Sequence, residues 1–180
     1  MVESLKIIGL GVVSAIAYGI AHDNVTARVC VEYFTIGHQT IFETTSPTLL
    51  ALTWGVLATW WVGLGLGIFL AMTCRVGRKP KLSAAALLRP LGILLCSMAG
   101  ISTLAGLAGW FAATRGWVFL VGEIAERVPS EKHVAFLADL WAHLAAYASA
   151  FVGGIALAIW ATIRRRRLAR SVSLSQSQGT

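Results

Sequence analysis

Four apolar runs, at about residues 5–21, 47–74, 90–114 and 138–163, constrain this chain more than any motif in it. A hydrocarbon core of about 30 Å takes roughly 20 helical residues to cross, and each run is of that order. Inside lipid every backbone N–H and C=O must find its partner within the protein, which leaves helices or closed barrels. Runs this continuous select helices. The expected fold is an all-α integral membrane protein, a four-transmembrane-helix bundle forming a single domain over residues 1–168, with a disordered tail at 169–180. Composition agrees, since 57% of the 180 residues are hydrophobic and 13% charged, against about 25% charged in ordinary globular domains.

The first run is the shortest. Ala15-Ile16-Ala17 resembles a small-residue cleavage site, yet the residues before it are nearly neutral, Glu3 offsetting Lys6. Gly11, Ala15 and Gly19 recur at the spacing by which membrane helices pack closely, so a retained helix is expected. Small residues also punctuate the other runs, at Gly63, Gly65 and Gly67, at Gly100, Ala105 and Gly109, and at Ala146, Ala150, Gly153 and Gly154. They favour a tight bundle over a wide pore. Trp60 and Trp61 fall near the middle of the second run, where bundle packing would bury them. Trp141 and Trp160 bracket the fourth as interfacial belts.

Orientation follows from the basic residues. Lys6, the loop bases Arg75, Arg78, Lys79, Lys81 and Arg89, and the cluster Arg164 to Arg167 with Arg170 all share one side. Arg28, Arg115, Arg127 and Lys132 fall on the other. The positive-inside rule puts both termini in the cytoplasm and the chain in a bacterial inner membrane as a multi-pass protein. The net charge of +7 is mostly this topology signal. Nucleic acid is excluded as a partner, because the basic clusters abut spans and lack interleaved aromatics. The partners expected are the lipid bilayer and other membrane subunits or further copies of the chain.

Two longer segments on the opposite side suggest an extracytoplasmic cap. The β-branched and aromatic stretch over 29–43 predicts a short β-hairpin turning at Gly37-His38, which would set Glu32 directly opposite Glu43. Opposed like charges destabilise a ladder unless a cation bridges them. Over 117–128, Trp117, Leu120, Val121, Ile124 and Val128 share one helical face, predicting an interfacial amphipathic helix. Cys30, Cys74 and Cys96 are separated by this layout, and no CxxC pair exists, so an intramolecular disulfide is not expected.

Chemistry concentrates on the capped side. All four histidines map there, with seven of the eight acids, in a pattern suited to zinc, iron or manganese. The candidate metal ligands are Glu32, Glu43, His133, Asp139 and His143. Asp139, His143 and Tyr147 stack along one helical stripe, with Asp139 placed to orient His143 as carboxylates do for ligand histidines. Secondary candidates are His22, His38, Glu123, Glu126 and Tyr147. His22 and His143 lie at similar depth, which raises haem as a less favoured cofactor. Motifs for nucleotide binding, serine hydrolysis or zinc proteolysis are absent. Two functions compete: a non-catalytic subunit or assembly factor of a membrane complex, which the absence of catalytic motifs favours, and a metal-binding or redox protein.

Overall fold

The computed structural model describes residues 1–39, 41 and 43–177. Its helices are α1 (Val2–Val29), α2 (Val31–Thr35), α3 (Pro47–Leu57), α4 (Trp60–Arg75), α5 (Leu88–Thr114), α6 (Glu123–Arg127) and α7 (His133–Ser177). Short 3-10 turns at Ala84–Leu87 and Ser130–Lys132 lead into α5 and α7. Four stretches are long and apolar enough to cross a membrane: Val2–Val29, Pro47–Arg75, Ala84–Thr114 and Ser130–Ser171. The chain is a multi-pass membrane protein of helical bundle type.

The bundle is two helical hairpins laid together. α1 packs along α3 and α4, α5 packs along α7, and α4 against α7 supplies most of the contact between the pairs. Glycine sets the first pairing. A Cβ added at Gly63 would lie 2.6 Å from the Gly11 carbonyl oxygen, and one at Gly19 would lie 2.6 Å from that of Gly55. The backbones of α1 and the second span therefore touch directly, as the small-residue spacing in α1 predicts. In the second hairpin Trp141 lies against Gly109. Gly65 and Gly100 face open space and take no part. Trp60 and Trp61 are exposed on the outside of the bundle, toward lipid, instead of in its packing.

The second span is broken at Ala58-Thr59. At its start Ser46 accepts a hydrogen bond from the Leu49 N–H, with Pro47 in the first turn. At the break the Thr59 hydroxyl donates to the Gly55 carbonyl, competing with the backbone ladder. The Tyr147 hydroxyl of α7 donates to the Ala58 carbonyl at 3.4 Å.

Each end of the bundle has its own apolar cluster. At the basic end Ile7, Leu70, Cys74, Leu82, Leu87, Leu157 and Ala161 are buried together. Glu3 accepts from the Ala84 N–H at 3.1 Å, satisfying a donor at the start of the third span. Arg165 is buried there, its guanidinium donating to the carbonyls of Thr73, Val76, Lys79 and Pro80. These are orphan carbonyls at the end of α4 and in the loop beyond. Arg165→Met is expected to lower stability by about 2–4 kcal/mol, since hydrogen bonds to charged groups contribute about 1.5–3 kcal/mol each and water recovers part of the loss. Arg165→Lys should restore less than half of it, because an ammonium does not span four carbonyls. Thermal melting in detergent reads both.

Two expected cap elements are corrected at the acidic end. Val31–Thr35 is a helical turn where a strand was expected, and no strand occurs among the described residues. Thr40 and Phe42, in the second arm of the expected hairpin, lie outside the described residues. A strand would send Tyr33 and Phe34 to opposite faces; the helical turn buries both, against Ala27, Leu50, Val128 and Phe136. The amphipathic helix expected over 117–128 is reduced to Glu123–Arg127, because Gly122 at φ +65 interrupts it. Leu120, Ile124 and Val128 still pack on the cluster, whereas Trp117 and Val121 are exposed.

Candidate metal centre

α1 continues past the apolar run at Ala21 for another two turns. The polar residues there keep their groups within the helix: Asn24 and Thr26 donate to the carbonyls of Ile20 and His22, and Arg28 to that of Asn24. His22 and Asp23 thus stay on a rigid helix and turn toward the bundle. α7 begins at His133, so His143 lies well inside it, one turn beyond Asp139.

His22, Asp23 and His143 converge, each offering a ligand atom within 4.8 Å of the others. Asp23 is 5% exposed and His143 8%. The rings of His22 and His143 meet edge to face with centroids 4.6 Å apart, and Tyr18 stacks on His22. His143 Nδ1 lies 2.8 Å from the Asp139 carbonyl oxygen. A carbonyl only accepts, so Nδ1 carries the proton and Nε2 of the neutral ring is bare. Nε2 faces Asp23 Oδ1 at 3.3 Å. Two acceptors at that separation need a shared proton or a metal ion between them. His22 Nδ1 lies 3.4 Å from the Ser102 hydroxyl, while its Nε2 is buried without a partner.

Asp139 sits beside this set instead of in it. It is 1% exposed, and its Oδ2 has no hydrogen bond. Together with His22, Tyr18 and Ser102 it lines a groove between α1, α5 and α7. It lies near enough to Asp23 for their charges to repel. The orienting contact expected from its carboxylate is made by its backbone carbonyl.

No protein-family model, curated protein or solved structure matches the chain.

The other expected residues are placed elsewhere. Glu32 pairs with Lys132 at 3.6 Å and accepts from the Cys30 thiol at 3.4 Å, tying α2 to the approach of α7. Glu43 is exposed ahead of α3. The structure does not gather either into the cluster. His133 donates from Nε2 to the Val128 carbonyl at 2.9 Å, closing the turn before α7. His38 donates from Nδ1 to the Tyr33 carbonyl and packs among Tyr33, Phe34 and Trp54. Glu123 pairs with Arg127, and Glu126 is exposed. Tyr147 lines the bundle interior next to His143. Haem on His22 and His143 does not fit, since rings in edge contact leave no gap for a porphyrin plane between them.

Asp23 is missing from the residues expected as ligands. The apolar run ends at Ala21, so His22-Asp23 reads as the start of a loop. The available signal was the lack of any glycine or proline from Ala21 to Val29.

Just outside the spans, burial pushes the Cys30 thiol up to about 12 from an ordinary 9.0, with Asp139 and Glu32 adding to it. Burial raises the Tyr33 hydroxyl as well. Alkylation of native Cys30 by iodoacetamide at pH 8 is expected to be about a thousandfold slower than after denaturation in SDS, because the thiolate is the nucleophile. Mass spectrometry of the modified peptide checks this. Both groups hold protons in the folded state that the unfolded chain releases first, so stability should fall as pH rises above about 9.

Proposed function

We propose that the protein carries a divalent first-row transition metal, zinc or ferrous iron, on His22, Asp23 and His143. The observation that supports this most directly is the bare Nε2 of His143 facing a carboxylate, beside a second histidine with an unpartnered nitrogen. The 3.3 Å between His143 Nε2 and Asp23 Oδ1 suits two ligand atoms each about 2.0–2.1 Å from one ion. Charge supports it too: Asp23 is a buried carboxylate beside two imidazoles, and a cation held among them balances it.

Two histidines and one carboxylate match the donor sets of open zinc sites and of non-haem ferrous sites. Manganese is less suited, as it prefers oxygen donors. Three protein ligands leave positions free, so the ion would take a water or another small ligand. In the orientation that the basic residues imply, the centre lies in the half of the membrane away from the cytoplasm. The subunit or assembly-factor reading rests on the absence of catalytic motifs and on glycine-rich helices suited to packing, and the buried donor set favours a centre.

The test is metal content and cobalt binding. Purified protein should contain near-stoichiometric zinc or iron. After chelation it should bind cobalt with the visible absorption of a low-symmetry nitrogen–oxygen site. Protein that neither retains metal nor gains a cobalt spectrum would leave a His143 imidazolium paired with Asp23, and this reading would be wrong.

A further inference from the structure

The three ligands come from α1 and α7, yet α5 buries one side chain against them. Ser102 is 2% exposed, in the middle of the third span. Close approach of α5 to α7 brings it there. One turn further on, a Cβ added at Gly106 would lie 3.3 Å from that of Ala142. A serine or threonine inside a helix commonly returns its hydroxyl proton to a carbonyl one turn back. The adjacent Thr103 does so, donating to Ala99 at 2.8 Å. Ser102 instead donates across the interface, to the carbonyl of Ala142 at 3.0 Å. Ala142 is the residue before His143.

That bond decides where the proton sits on His22. A hydroxyl has one proton to give, and Ser102 gives it to Ala142, so its oxygen meets any other partner as an acceptor. His22 Nδ1 lies 3.4 Å from this oxygen. A bare Nδ1 there would set lone pair against lone pair, so Nδ1 carries the proton and donates to Ser102. A neutral imidazole has one protonated nitrogen and one bare, which leaves Nε2 bare. Nε2 is also the ring atom that is buried without a partner. Tyr18 stacks on the ring at a centroid distance of 5.7 Å and holds its plane. His143 repeats the pattern, its Nδ1 donating to the Asp139 carbonyl at 2.8 Å. The two rings reach one tautomer through different partners, a backbone carbonyl for His143 and a side chain for His22.

We propose that Ser102 is a positioning residue of the metal centre: it holds His22 as the Nδ1–H tautomer and so leaves Nε2 bare for the ion. Ligand histidines are held through their second nitrogen in this way, which fixes both tautomer and ring orientation. The relay Ala142–Ser102–His22 runs from α7 through α5 to α1, so the centre is assembled only when both hairpins are docked. A hydroxyl that merely joined α5 to α7 would leave the tautomer of His22 unaffected. This deepens the metal reading and rests on it for affinity, whereas the tautomer is a property of the metal-free protein.

Ser102→Ala in the full chain in detergent tests it, with Thr103→Ala as the control on the same helix. Two-bond proton–nitrogen correlation spectra of histidine-labelled, metal-free protein at pH 8, where ordinary imidazoles are neutral, read the tautomer. The His22 signals are assigned by their loss in His22→Gln. The wild type and Thr103→Ala should show His22 protonated at Nδ1, and Ser102→Ala should move the proton largely to Nε2. Cobalt affinity should fall about 10–100-fold in Ser102→Ala and stay within about threefold in Thr103→Ala. A wild-type His22 protonated at Nε2, or a tautomer unchanged in Ser102→Ala, would overturn the proposal. So would a loss of cobalt affinity in Ser102→Ala no larger than in the control. If the wild type binds no cobalt while the tautomer moves as expected, the metal reading falls and the hold of Ser102 on His22 stands.

Discussion

Asp23→Asn and His143→Ala are each expected to abolish stoichiometric cobalt binding, with affinity falling by at least about a hundredfold. Loss of an outer-sphere partner alone commonly costs 10–100-fold in metal affinity, and either change removes a direct donor from a set of three. Asp23→Asn keeps the shape of the side chain and removes its charge, so a folded protein without metal is the expected outcome. Asp139→Asn should have a smaller effect, about tenfold. It removes the second carboxylate but leaves the backbone carbonyl that orients His143. Melting temperature provides an independent reading. A metal that binds only the folded state raises stability by mass action, about 2.7 kcal/mol at a hundred times Kd. Zinc should therefore raise the melting temperature of the wild type and leave that of both ligand variants where it was. If zinc shifts all three equally, the stabilising site is elsewhere and His22, Asp23 and His143 form only a buried ion pair.

Gly63→Leu is expected to be the most damaging single change in the membrane-spanning part, at roughly 3 kcal/mol or more, above the usual 1–3 kcal/mol for overpacking. The neighbours explain the excess. A new Cβ would meet the Gly11 carbonyl oxygen at 2.6 Å, the Ala15 Cβ at 2.7 Å and the Val12 Cα at 2.9 Å. Most of these are backbone or bound directly to it, so no rotamer change relieves the clash and α1 must move away as a body. That also shifts His22 and Asp23, which ride on α1. The control is Gly65→Ala, on the opposite face of the same helix, where an added Cβ meets nothing within 4 Å. It should be neutral to within about 1 kcal/mol, the size of the helix-propensity term. Melting in detergent measures both variants. Equal losses for the two would mean that close contact at Gly63 is not what sets the cost.

Much of the architecture was legible because membrane insertion is a local property. A run of twenty-odd apolar residues must be helical whatever it packs against, and so the four spans could be read without neighbours. The small residues of α1 were legible for a related reason: a helix with Gly11, Ala15 and Gly19 on one face presents a groove, and something must fill it. The acidic end was less readable. Tyr33 and Phe34 became a helical turn instead of a strand because burial of both rings against α7 outweighed the β propensity of the stretch, and that burial depends on distant residues.

The centre divides in the same way. Composition placed the histidines and acids at one end, and matching depths along two helices paired His22 with His143. Those are properties of single segments. Glu32 and Glu43 were singled out because a hairpin would set them opposite each other, yet Glu32 is satisfied by Lys132 from another element. Asp23 joined the cluster because α1 persists past its apolar run and the hairpins converge there. The chain by itself determined that there would be four spans and which end would be polar, since lipid and water sort each segment independently. Only the tertiary structure decided which imidazole faces which carboxylate, because that depends on how two hairpins lean together.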